Sequence, residues 1–272
     1  MKYASVLITG ASSGIGQGLA LMLARPGRRL LLGGRNTPRL EETARQCIAR
    51  GADARIQATD VTNQAAMTDW VSSAGPLNLV LACAGITGGT RLTEQPDPAP
   101  YEPDTQIRRI FETDLTGVLN TVLPALALMR GQPRSVEGIR GRICAIASVA
   151  GFVSFPGTPA YSAAKAAVDR FMVASGANAR REGIMLSSVV CGFVDTPMVA
   201  RNRFAMPGLT DTHSACRRIL RGVGRNERRI IFPRWLVAGS RFMDLLPIRL
   251  AEAYYTRQPA AAPDGMPAAD LS

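Results

Sequence analysis

The sequence predicts an α/β protein: a doubly wound parallel sheet between two layers of helices, a three-layer sandwich. Three observations carry this prediction. Short runs rich in Val, Ile and Leu alternate with helical patterns along most of the chain. Within those runs polar and apolar residues barely alternate, as expected of strands covered on both faces. The first run also flows into a glycine-rich turn that opens a helix. Right-handed crossovers then place all strand C-termini on one edge of the sheet, where ligands bind.

The first strand is read at Tyr3–Thr9. Its apolar run is short and lacks a convincing cleavage site, so it is not read as a signal peptide. Further strands are expected at Arg29–Leu32, Ala54–Ala58, Leu77–Ala82, Arg142–Ala147, Met185–Val190 and Arg229–Phe232. Helices are expected between them, at about 15–25, 38–50, 62–74, 104–130, 159–182 and 211–222. Pro96–Pro103 reads as a Pro-rich loop and Gly131–Gly141 as a polar insertion. Trp235–Tyr255 mixes arginines with large apolar residues as an amphipathic stretch, which packs on the domain or on a subunit, or touches a membrane surface. Residues 1–257 are read as one domain and 258–272, rich in Pro and Ala, as a disordered tail.

Composition narrows the function. Hydrophobic residues make up 46% of the 272, enough for a sizeable core. No apolar run reaches the length of a membrane span. The five cysteines form no CxxC pair and read as buried thiols of a reducing, cytoplasmic compartment rather than as disulfides or metal ligands. His213 is the only histidine, which excludes a His-rich metal site; no metal is expected. The net charge of +11 raises nucleic acid as a partner. However, the arginines are dispersed and no basic repeat interleaves with aromatics, so no nucleic acid is expected.

Lysine usage singles out one position. Of 32 basic residues only Lys2 and Lys165 are lysine. Lys165 lies four residues after Tyr161, so the two share one helix face. With five Tyr and two Lys such a pair arises by chance about 0.04 times per chain. A neighbouring ammonium favours tyrosinate and is expected to lower the phenol pKa towards the working range of an acid or base. Ser148 closes the fifth strand on the ligand edge, where its hydroxyl can hold a carbonyl oxygen.

The turn after the first strand reads Thr9-Gly10-Ala11-Ser12-Ser13-Gly14-Ile15-Gly16. Its glycines allow a tight turn and close approach of backbone to a pyrophosphate, and the helix N-terminus offers free N–H groups. The second strand runs into Arg35-Asn36, where a unit that prefers NAD usually carries an acidic residue for the ribose 2′-OH. Arg35 suits a 2′-phosphate instead, which points to NADP(H). Asp60-Val61, after the third strand, is placed to meet an adenine edge, or Asp60 is the N-cap of the following helix.

Gly10-x-x-x-Gly14-x-Gly16, Ser148 and Tyr161-x-x-x-Lys165 together resemble the short-chain dehydrogenase/reductase family in its standard single-domain branch, over roughly residues 1–235. The resemblance implies a Rossmann-type fold, a nicotinamide cofactor and a small-molecule substrate. It also implies that Tyr161 exchanges the proton, Lys165 holds the nicotinamide ribose and Ser148 polarises the carbonyl. A homodimer or homotetramer built on helices 104–130 and 159–182 follows from it as well. Three positions depart from the family pattern. Ala82-Cys83-Ala84-Gly85 stands where Asn-Asn-Ala-Gly is usual, with Ala84 and Gly85 still able to line the cofactor. Cys191-Gly192 replaces Pro-Gly, while Val194 and Thr196 remain for the carboxamide. Asp114 takes the place of the asparagine that completes a catalytic tetrad; ionised, it accepts hydrogen bonds and donates none.

The reading is an enzyme that moves a hydride between NADP(H) and a carbonyl or secondary alcohol. Its rivals are a weakly catalytic NADP(H) sensor or scaffold, a membrane-surface enzyme with a lipid-like substrate, and an epimerase or dehydratase sharing the YxxxK core. Pro197–Ser214 is read as a lid, and Phe152, Val153, Phe155 and Phe193 as an apolar wall beside the substrate or, equally, as core packing or lid anchors.

Overall fold

A computed structural model describes residues 3–89, 102–200, 202 and 204–257. The strands are β1 (Ser5–Thr9), β2 (Arg29–Gly34), β3 (Asp53–Ala58), β4 (Leu79–Ala82), β5 (Gly141–Ser148), β6 (Ile184–Cys191) and β7 (Arg229–Phe232). All pair in parallel, in the order β3-β2-β1-β4-β5-β6-β7. The order reverses between β1 and β4, which opens a crevice beyond their C-terminal ends.

Helices α1 (Gly14–Leu23), α2 (Thr37–Ile48) and α7 (Thr212–Gly224) cover one face. Helices α3 (Gln64–Ser72), α4 (Asp104–Phe111), α5 (Gly117–Arg130) and α6 (Pro159–Arg181) cover the other. Two cores result. Leu19, Leu40 and Ile219 pack on Ile8 and Leu32 on the first face. Met67, Val122 and Met172 pack on Leu7 and Val80 on the second. Burying such side chains fully is worth about 1.5–3 kcal/mol each, and β1, β4, β5 and β6 are buried along their whole length.

Every expected strand and helix is present, with ends that move by a residue or a few. β3 departs from the expectation of two covered faces: it is an edge strand and mostly exposed. The helix expected over 104–130 is interrupted. Residues Glu112–Thr116 form a π turn between α4 and α5, and it carries Asp114 into the interior. The apolar spacing continues through this turn, so periodicity gives no sign of it. A 3₁₀ turn (Val149–Phe152) follows β5 directly. Trp235–Tyr255 forms two helices, α8 (Arg234–Asp244) and α9 (Ile248–Tyr255). The tail expected over 258–272 and most of the Pro-rich loop lie outside the described residues.

Candidate active site

A cleft of about 550 Å³ follows the C-terminal edge of the sheet across the crevice. Every residue singled out above for cofactor or catalysis lines it except Asp114, which sits beneath its floor with no exposure.

At one end, β1 gives way to a turn and then to α1. Gly10 is left-handed (φ +68°), and a Cβ there would lie 2.8 Å from the backbone of Ala84, across on the β4 exit. A Cβ on Gly16 would lie 2.2 Å from the Gly10 carbonyl oxygen. The turn thus closes only with glycine at both positions. Ser13 holds the N-cap position but its side chain makes no cap, so the first N–H groups of α1 receive no acceptor from it. Thr9 Oγ1 accepts from Cys83 N (3.2 Å) and Ala84 N (3.4 Å), which ties β1 to the segment after β4 although Ala82 and Cys83 bring no amide side chains.

At the β2 end, Arg35 is exposed and its guanidinium stands 3.6 Å from the Asp60 carboxylate. An exposed pair at this distance is worth about 0–1 kcal/mol, weak enough for a bound anion to displace. Asn36 lines the cleft, but its side chain caps α2 by accepting from Arg39 N (3.0 Å). Asp60 is not a helix cap. Its Oδ1 accepts from Thr62 N and Thr62 Oγ1, both at 2.9 Å, while Asn63 caps α3 through Ala66 N. Placed one residue beyond the expected helix start, Asn63 has the spacing a cap needs. Arg39 and Thr59 also line this end and were not singled out from sequence. Arg39 lies four residues after Arg35, and that spacing was the available signal.

The opposite end gathers Ser148, Tyr161 and Lys165. Ser148 Oγ accepts from Ala150 N (3.1 Å) as β5 enters the 3₁₀ turn. Lys165, buried on α6, donates from Nζ to the Ile146 carbonyl (3.1 Å) and lies 2.9 Å from Asp114 Oδ2. Asp114 Oδ1 accepts from Ile86 N (2.7 Å). The Lys165 ammonium is 5.5 Å from the centre of the Tyr161 ring. Gly85 leaves room for this pair: a Cβ there would come within 3.2 Å of Asp114 Oδ2 and 3.3 Å of Lys165 Nζ.

Burial decides the electrostatics. It opposes the Lys165 ammonium, but the Asp114 carboxylate and Tyr161 outweigh it and lift Lys165 to about 12. Burial likewise raises Asp114 above the ordinary carboxylate range, against the ammonium and the Ile86 N–H that favour the anion. The expected lowering of Tyr161 is not met in the chain alone. Burial raises the phenol above 10; Lys165 and a Ser148 hydrogen bond pull it down, and Asp114 pushes it up again. The thiols of Cys83 and Cys191, beside the cleft, are pushed up by burial and offer no ready thiolate. Among the described residues no group of His, Cys, Asp and Glu could hold a metal ion.

Of the readings open for the aromatic residues, packing and lid anchoring hold for Phe152 and Phe193. Phe152 is buried against Val190 and Val237, where it anchors α8. Phe155 meets Tyr255 edge-on at 6.2 Å and Phe193 meets Phe204 at 6.0 Å. These rings stay outside the cleft, and Pro197, Met198 and Val199 of the segment read as a lid line it instead.

A glycine turn at a β1/β4 switch point, on the C-terminal edge of a seven-stranded parallel sheet, defines a fold of the Rossmann type. The family description "short chain dehydrogenase" matches residues 4–206. An "uncharacterized oxidoreductase" of Myxococcus xanthus (strain DK1622) is 35% identical over 257 residues, covering 93% of this chain and 96% of that protein. Another of that name from Staphylococcus aureus (strain MW2) is 30% identical over 198 residues, 71% of this chain and 79% of that protein. Among solved structures, a short chain dehydrogenase/reductase from Burkholderia phymatum, in complex with NAD, superposes with a TM-score of 0.75 at 22% identity, over 94% of this chain and 96% of that one. The chain belongs to the short-chain dehydrogenase/reductase family of oxidoreductases.

Proposed function

We propose that the protein transfers a hydride between NADP(H) and a carbonyl or secondary alcohol, with Tyr161 as the proton donor and acceptor. The observation that carries this reading is one cleft with a glycine cradle at one end and Tyr161, Ser148 and Lys165 at the other. The fit to a dinucleotide rests on the turn: a Cβ at Gly10 or Gly16 would strike backbone, so the two glycines let the turn close and bring the α1 N-terminus, which the Ser13 side chain leaves uncapped, to the cleft. Gly10 to Gly16 would hold the pyrophosphate, Asp60 and Val61 would flank the adenine, and Ala84, Gly85, Val194 and Thr196 would line the nicotinamide half. Arg35, with Arg39 beside it, supports a 2′-phosphate and hence NADP(H) over NAD. When bound, the nicotinamide supplies or accepts the hydride.

The chain's own residues do the rest. Ser148 Oγ holds the substrate oxygen beside the Tyr161 hydroxyl. In reduction the Tyr161 O–H gives its proton to that oxygen, and in oxidation the phenolate takes the proton from the alcohol. Lys165 keeps its charge at neutral pH and stabilises the phenolate. Two of its contacts, to Ile146 O and Asp114, fix the ammonium while a ribose hydroxyl can take a further N–H. The same reading includes a cytoplasmic enzyme and a homodimer or homotetramer built on the α4–α5 segment and α6, where Leu123 is exposed.

NADPH oxidation against a panel of aldehydes and ketones tests it. Tyr161→Phe should bind NADPH as wild type does and lose turnover by roughly 10²–10⁴-fold. Near-wild-type turnover in that variant would overturn the assignment. Tight NADPH binding by the wild type with no turnover across the panel would favour a sensor or scaffold.

A further inference from the structure

Helices α8 and α9 do not finish the fold. Of the eleven large hydrophobic residues exposed among the described residues, six lie on these two helices or the turn between them: Trp235, Phe242, Leu245, Ile248, Leu250 and Tyr254. On α8 the burial is one-sided. Val237 packs inward on Phe152 and Val190, while Phe242 and Leu245 stand 63% and 83% exposed. On α9 no residue is buried at all. A helix of eight residues is too short to hold itself in water, where isolated helices below about 12–15 residues are marginal. Its apolar side chains need a further surface.

The charge around this face says which surface. Residues 212–257 contain ten arginines and three acids, Glu227, Asp244 and Glu252, a net of +7 in a chain whose total is +11. A groove of about 840 Å³ between α7, β7 and α8 is lined by Arg218, Arg221, Arg234 and Arg241 together with the exposed Phe242 and Leu245. Arg229 and Glu227 lie in the same groove, Arg229 already held by Asp169 at 2.7 Å. Among the described residues, none of the four arginines pairs with a carboxylate. Two of them stack on rings, Arg218 over Phe232 at 5.8 Å and Arg241 over Phe152 at 4.9 Å. A stacked guanidinium keeps its N–H edge free for a phosphate.

We propose that this face docks on an anionic phospholipid bilayer, the arginines taking headgroup phosphates while Phe242, Leu245 and Ile248 enter the acyl boundary. Apolar side chains beside unpaired arginines are the two components such interfacial binding needs. The mode is peripheral: among the described residues no helix is long and apolar enough to cross a membrane. Docking would also bring the cleft near the lipid. α8 packs on the 3₁₀ turn that follows Ser148, and the Trp235 ring closes on Gly208 of the segment read as a lid.

The test uses the full chain and vesicle co-sedimentation, independent of turnover. Wild type should sediment with vesicles of phosphatidylglycerol and phosphatidylcholine at low salt and stay in solution with phosphatidylcholine alone. Two triple variants probe the components: Phe242→Ser with Leu245→Ser and Ile248→Ser, and Arg221→Gln with Arg234→Gln and Arg241→Gln. Each should lower the partition coefficient about tenfold or more while melting like wild type, since all six side chains are exposed. Equal sedimentation on neutral and anionic vesicles, no sedimentation, or wild-type partition in the apolar variant would overturn the proposal. So would an oligomer that the apolar variant dissolves in the absence of lipid binding, because the face would then belong to a second copy.

Discussion

At the α1 end of the cleft the limiting quantity is space; at the α6 end it is charge. The cradle is made of backbone, and Gly10 and Gly16 contribute only by lacking a Cβ that would strike Ala84 and the Gly10 carbonyl. The other end is made of side chains, with Lys165 and Asp114 both buried and 2.9 Å apart. Packing forces are short-ranged, so errors in the cradle should be large and indifferent to pH. Charges in a dry site act on each other continuously, so changes at the α6 end should be graded and should depend on pH.

The sharpest way to break this comparison is Gly16→Ala. Its Cβ alone meets backbone, which cannot rotate away, and we expect more than about 4 kcal/mol of lost stability or total loss of NADPH binding. The effect should be equal at every pH in thermal melts and fluorescence titrations. Next comes Lys165→Met, which leaves the Asp114 carboxylate buried without its ammonium and should cost about 3 kcal/mol at neutral pH. The sign of its pH dependence is fixed. Asp114 is raised in the fold by burial, and without Lys165 it rises further, so the folded state prefers the protonated acid. Stability should therefore recover as pH falls towards the unfolded carboxylate range and decline as pH rises. Adding Asp114→Asn should flatten that dependence. A loss equal at all pH values in the single variant would refute the electrostatic account.

The two ends also differ in how far sequence reveals them. Gly10, Gly14 and Gly16 follow a strand and open a helix within a few residues, and Tyr161 and Lys165 share a face by spacing alone. Local geometry suffices for both. The Asp114–Lys165 pair is not legible in this way, because the contact joins residues 51 apart through a π turn without a compositional signature. Phe152 stays open between substrate wall and core packing because nothing in the sequence tells that Val237 folds back over it. Legibility thus ends where the structure depends on contacts between distant segments.

Arg35→Ser sharpens the comparison at the exposed β2 end, where neither space nor burial constrains the side chain. Loss of a charge-assisted contact to a 2′-phosphate is worth about 2 kcal/mol, or about 30-fold in KM for NADPH. KM for NADH should stay near its wild-type value. A variant that loses both cofactors equally would place Arg35 in the fold rather than in cofactor choice, and an unchanged NADPH KM would remove it from the site.

The smallest expected effect on turnover, and the most informative about charge, belongs to Asp114→Asn. Asp114 uses both oxygens: Oδ1 accepts from Ile86 N and Oδ2 pairs with the Lys165 ammonium at 2.9 Å. An amide has one acceptor oxygen for both and carries no charge, so Lys165 loses its counter-ion and falls from about 12. Asp114 also raises the Tyr161 phenol, and its removal favours the phenolate. In the proposed mechanism oxidation of an alcohol uses Tyr161 as the base, so its rate climbs as pH rises through the phenol pKa; in the variant that climb should begin at lower pH. Reduction needs the same group as an acid, so its decline should also begin at lower pH. Because Ser148, Tyr161 and Lys165 remain, the rate at the optimum should be retained or raised. pH–rate profiles in both directions decide it: coincident wild-type and variant curves would mean that the buried carboxylate holds Lys165 in place without tuning the phenol.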